Sequence, residues 1–156
     1  MNASYALALG IGIAAGLRTF TAPAMVSWGA RAGRLGLRGS RFAALGGAWA
    51  VGILTLLALV EYVGDLLPQT PKRTSAGPLA ARLVSGGVCG ACMCTSWGSS
   101  AIAGAALGAA GAVIGAFGGY EARTRLVSGL KVKDAMIAIP EDLVAAGVAW
   151  AIIFLA

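Results

Sequence analysis

Residues 99–120 read SSAIAGAALGAAGAVIGAFGGY, an uncharged run in which Gly104 and Gly108, and then Gly111, Gly115 and Gly119, recur every four positions. About 20 mostly apolar residues are enough for a helix to cross the hydrocarbon of a bilayer, and this run supplies them. Four-residue spacing puts the glycines on one helix face, where missing side chains let another backbone approach closely. The same spacing returns as Gly12 and Gly16 and as Gly86 and Gly90. Lipid offers no hydrophobic drive between helices, so close packing of this kind must supply much of their association. The glycine faces fit packing inside one chain or the seam of a homodimer, and both readings stay open.

Composition extends the argument to the whole chain. It is 58% hydrophobic and only 12% charged, whereas soluble domains are about 45–50% apolar and about 25% charged. Residues 1–156 therefore read as a single integral membrane domain with no soluble part. A first apolar run covers 5–17, is interrupted by Arg18-Thr19-Phe20-Thr21-Ala22-Pro23, and resumes over 24–30. Further runs cover 42–60, 79–97, 99–120 and 135 to the end. The third and fourth are separated only by the uncharged Thr95 to Ser100, read as a tight hairpin with Trp97 at the membrane interface. The fold expected is an all-α, polytopic transmembrane helical bundle of about five spans, the first helix broken. No basic segment precedes the first run, so it is expected to be retained and not cleaved as a signal peptide.

The net charge is +6 and histidine is absent. Basic residues fill the gaps between apolar runs, which fits lipid headgroups and topology control; nucleic acid is not an expected partner. Five spans place the termini on opposite sides. The side of Met1 then receives Lys72, Arg73, Arg82, Arg123, Arg125, Lys131 and Lys133, and the other receives Arg31, Arg34, Arg38 and Arg41. The positive-inside rule makes the first side, and the N-terminus, cytoplasmic in a bacterial inner membrane. All six acids (Glu61, Asp65, Glu121, Asp134, Glu141 and Asp142) fall on that same side.

Those acids and Arg18 are the candidate functional groups. Glu61 and Asp65 share a helix face and oppose the dipole at a helix C-terminus, so Arg73, Arg82 or Arg123 is expected to compensate. Glu141 and Asp142 follow Pro140 and read as lying near a helix N-terminus, where the dipole favours them. Interfacial ion pairing explains the cluster; so does a cation or proton site, since ionisable groups near the membrane are costly to bury. Arg18 lies inside the first run beside Thr19, Thr21 and Pro23, a pattern resembling the discontinuous helices of transporter binding sites. It either has a partner or snorkels to the interface.

Other motifs carry less. Cys89, Cys92 and Cys94 lie among small apolar residues, where cysteine packs as a small hydrophobe. Residues 10–15 formally fit a dinucleotide fingerprint, but neither the strand before it nor the acid after it is present. Without histidine, Ser-His and Cys-His catalysis are excluded. No cofactor or metal is expected and no enzyme, a carboxylate-based lipid enzyme being the residual case.

The elements Gly16-Leu-Arg18-Thr-Phe-Thr-Ala22-Pro23, Glu61-x-x-x-Asp65-x-x-Pro68-x-Thr70-Pro71-x-Arg73 and Glu141-Asp142 together resemble a bacterial membrane family known only as domain of unknown function 4126. The resemblance runs over nearly the whole chain. It implies a small polytopic protein whose signature residues include those just named, and it implies no activity. The function expected is a small-solute or ion transporter or channel, with Arg18, Thr19, Thr21, Pro23, Glu61, Asp65, Arg73, Arg82, Glu121, Glu141 and Asp142 along its pathway. The alternative is a non-transporting protein, dimeric through its glycines, that organises lipids or partner proteins.

Overall fold

The uncharged run at 99–120 is helical from Ala101 onward, and the helix continues past it to Leu130. Beyond Tyr120 the expected polar connection stays helical. Arg125 Nε donates to Glu121 Oε1 at 2.7 Å one turn back, and the Thr124 and Ser128 hydroxyls donate to carbonyls of the preceding turn. The i,i+4 pair of Glu121 and Arg125 adds a few tenths of a kcal/mol to the helix.

The computed structural model describes residues 3–64, 75–130 and 134–155. Among them the chain is all α: α1 (Ala3–Leu17), α2 (Thr21–Arg31), α3 (Ala48–Gly64), α4 (Ala76–Ser96), α5 (Ala101–Leu130) and α6 (Asp134–Phe154). A short 3₁₀ turn, Ala43–Gly46, precedes α3. Two of the helices, Ala76–Ser96 and Ala101–Gly129, are long and apolar enough to cross a membrane.

α1, α4 and α5 form the centre, and the glycines make it possible. A Cβ on Gly12 would collide with the Gly108 backbone, on Gly16 with Ala112 and Gly115, on Gly90 with Gly104, and on Gly86 with Gly108. Gly111 and Gly115 meet Leu9 and Ile13 of α1 in the same way. Gly119 is buried farther along α5. The glycine faces of α1, α4 and α5 thus meet one another within one chain. α6 packs on α1 and α2, while α3 lies outermost, against α2 and the 3₁₀ turn.

The order of the helices corrects the expected topology. The first apolar run is not one broken span. It is two helices that reverse at residues 18–20, α2 being only 11 residues, or about 16 Å. Ser4 at the start of α1 bonds Ser99 in the α4–α5 turn, and Gly36 beyond α2 bonds Ser96, so both outer ends of this hairpin lie together. Gly10 and Gly29 accordingly meet the neighbouring Ile152 and Ile153. Among the described residues the six helices run alternately up and down the bundle, and Ala3 and Leu155 lie at the end that carries Arg31, Arg34, Arg38 and Arg41. Glu61, Glu141 and Asp142 lie at the opposite end. The start of α1 therefore lies at the end of the bundle opposite these carboxylates, and not beside them as the five-span reading expected.

Candidate functional site

Pro23 creates the reversal. A helix running through it would set its ring against the carbonyl of Thr19 and offer that carbonyl no N–H. The last bond of α1 is Arg18 N–H to Ala14 O at 2.9 Å, and the first of α2 is Ala24 N–H to Phe20 O at 3.0 Å. Pro23 then sits in the first turn of α2, where no intrahelical donor is required.

Three backbone groups at the break need partners, since buried peptide groups are costly when unpaired. Glu61, near the end of α3, supplies two: Thr19 N–H donates to its Oε1 at 2.7 Å and Phe20 N–H to its Oε2 at 2.9 Å. Ser85 of α4 supplies the third, its hydroxyl donating to the Thr19 carbonyl at 2.6 Å. The carboxylate thus lies just ahead of α2, where the positive end of the helix dipole favours it.

Charged side chains surround this knot. Arg18 is fully buried and ion-paired with Asp142 of α6. Its guanidinium carbon also stands 5.5 Å from the ring centre of Tyr62, close enough for cation–π attraction. The Tyr62 hydroxyl is 2.8 Å from that of Thr21. Arg82 of α4, 4% exposed, approaches Glu61 at 4.0 Å, and Arg123 of α5 pairs with Glu141 at 3.5 Å. Three arginines and three carboxylates, from four helices and the break, thereby meet at one end of the bundle.

Most of the residues expected from sequence gather here: Arg18, Thr19, Thr21, Glu61, Arg82, Glu141 and Asp142, with Pro23 a turn away. Thr19 takes part through its backbone. Arg18 has a partner and does not snorkel. Glu121 lies outside the cluster, exposed and paired with Arg125. Asp65 and Arg73 lie outside the described residues. Glu141 and Asp142 are not at a helix N-terminus: α6 starts at Asp134 with Pro140 inside it, so arginines and not the dipole balance them. Tyr62 and Ser85 escaped the sequence reading. Tyr62 adjoins Glu61, and Ser85 lies three residues after Arg82 on the same helix face, which is the signal that could have found it.

The cysteines stand apart from this site. Cys89, Cys92 and Cys94 are buried as free thiols in the α1–α4 packing. Among the described residues no three Cys, Asp or Glu groups are arranged to hold a metal ion.

No curated protein and no solved structure matches the chain. The family described as domain of unknown function (DUF4126) matches it over residues 5–156, and the chain belongs to that family.

Proposed function

We propose that the chain is an integral protein of a bacterial-type inner membrane that moves a small solute or ion through the charged end of its bundle. A membrane setting is supported by the inverted distribution of side chains. Trp49, Ile102 and Leu143 are 85%, 84% and 70% exposed, while Arg18 is 0% exposed and glycine and alanine fill the centre. Water-soluble proteins do the reverse with their charges. A hydrocarbon solvent removes the conflict and requires every backbone group at the break to be satisfied internally, as Glu61 and Ser85 do.

The observation that carries the transport reading is the Glu61 carboxylate held by two amide N–H groups at a helix break. Discontinuous helices with freed peptide groups and ionisable side chains are how many transporters build their binding sites. Protonation of Glu61 would remove the charge that attracts Arg82 and weaken its hold on the two amides. Arg18 and Arg82 would then be the groups to receive an anion, and Glu61 the proton or cation carrier.

The test is flux into proteoliposomes read with pH- and voltage-sensitive dyes, comparing the unaltered chain with Glu61→Gln. Flux that disappears in a folded Glu61→Gln protein supports the reading. Absence of flux under every imposed gradient, from protein shown to be folded, overturns it.

One observation favours the non-transporting alternative. The described charges of the cluster fall into opposite-sign pairs, Arg18 with Asp142, Arg82 with Glu61 and Arg123 with Glu141. Such a balanced set would also serve as a lock that fixes four helices and the break for a scaffold of lipids or proteins.

A further inference from the structure

At the opposite end of the bundle the described arginines are arranged differently. Residues 32–47 form a connection pinned on its inner side. Leu35 and Leu37 are buried at 4% and 1%, and Gly36 N–H donates to Ser96 Oγ at 2.8 Å. Gly33 and Gly39, with φ of 74° and 81°, make the turns that only glycine adopts readily. Ser40 closes the loop by donating to the Leu37 carbonyl. With the leucines turned in, Arg31, Arg34, Arg38 and Arg41 are all turned out and exposed. None of the four has a carboxylate partner among the described residues, in contrast to every arginine of the charged cluster.

Beside this rim opens a cleft of 310 Å³. Arg34, Ser96 and the half-exposed Trp97 stand at it, and Ile152, Phe154 and Leu155 border its other side, polar atoms making up the larger part of its accessible lining. A cation and an indole at the mouth with Ile152, Phe154 and Leu155 beside them match a molecule that is anionic at one end and hydrocarbon at the other. Tryptophan favours the headgroup level of a bilayer, and arginines near a membrane surface attract anionic lipid.

We infer that this cleft binds one anionic phospholipid, its phosphate at Arg34 and part of an acyl chain against Ile152, Phe154 and Leu155. The inference rests on the membrane setting proposed above but not on transport. It assigns a ligand to the end of the bundle that the charged cluster does not use. Uncompensated positive charge selects an anionic headgroup, and the three apolar side chains select a lipid over a free phosphate.

The experiment is native mass spectrometry of the full chain in detergent micelles, titrated with phosphatidylglycerol or phosphatidylcholine. One phosphatidylglycerol should be retained in preference to phosphatidylcholine. Arg34→Gln should weaken that retention about fivefold, the effect of one surface arginine. Leu155→Glu, at an exposed position bordering the cleft, should weaken it at least as much. Arg125→Gln removes the same charge at the far end and should leave it unchanged. Equal losses in Arg34→Gln and Arg125→Gln would mean general charge attraction and overturn the site. Binding of water-soluble glycerophosphate as tight as that of the lipid would overturn the acyl part. Alkaline carbonate extraction of native membranes separates the two failures. A chain released into the supernatant sinks the membrane setting itself. A chain that stays in the pellet yet shows no phosphatidylglycerol preference sinks the lipid site alone.

Discussion

Asp142, in the third turn of α6, neutralises Arg18, the fully buried residue at which α1 ends. Removing one partner strands the other charge, and breaking a buried pair costs about 3–5 kcal/mol. Arg18→Met and Asp142→Leu should therefore each lower the unfolding temperature sharply in detergent. The combined Arg18→Met/Asp142→Leu protein should recover most of the loss, because neither charge is left to desolvate. Thermal unfolding followed by circular dichroism decides it. A double variant as unstable as the sum of the singles would show that the pair is not the energetic unit.

The glycines divide into two groups with opposite expected behaviour. Gly12, Gly90 and Gly108 face backbone so closely that a methyl group has nowhere to go, whereas Gly52 and Gly147 face open space. Gly108→Ala should abolish accumulation of folded protein. Gly147→Ala should be neutral or stabilising by up to about 1 kcal/mol, since alanine is the better helix former. Size-exclusion profiles of the two variants provide the comparison. A well-behaved Gly108→Ala protein would contradict the α4–α5 contact.

This contrast also explains what the sequence disclosed. Spacing alone identified the faces at Gly12, Gly86, Gly104 and Gly111, because helix periodicity is local. It did not reveal whether the face opposite belonged to the same chain. The break at Arg18 to Pro23 was legible for the same reason, proline being a local signal. The reversal there was not, because it depends on Glu61 and Ser85 arriving from distant helices to satisfy Thr19 and Phe20. Once the reversal is missed, the termini fall on opposite sides, although the gathering of Glu61, Glu141 and Asp142 survives. Asp142 as the specific partner of Arg18 depended on α6 lying against α1, which no spacing records.

Glu61 holds two amides as well as facing Arg82, so its variants should separate these roles. Glu61→Gln retains a carbonyl oxygen for one amide and loses the charge; Glu61→Ala loses both. Hydrogen exchange at Thr19 and Phe20 should be fastest in Glu61→Ala, intermediate in Glu61→Gln and slowest in the unaltered protein. Each lost charged hydrogen bond is worth about 1.5–3 kcal/mol. Exchange at these two amides that is the same in all three proteins would refute the capping role, whatever happens to flux.

The alternating order of the described helices makes the most direct prediction, because five spans give the opposite result. The native cysteines are buried, so an impermeant thiol reagent reports on cysteines added at exposed positions. Ala3 and Trp97 lie at the end of the bundle that carries the free arginines, while Thr124 lies toward the other end on α5. In sealed right-side-out vesicles, Ala3→Cys and Trp97→Cys should be labelled alike, and Thr124→Cys should show the opposite accessibility. Inverted vesicles should exchange the two results. Labelling of Ala3→Cys together with Thr124→Cys would restore a single first span and put the N-terminus back beside the carboxylates. The Arg18–Asp142 and Glu61–Thr19 contacts could not then form as described, since both require the chain to turn back at residues 18–20.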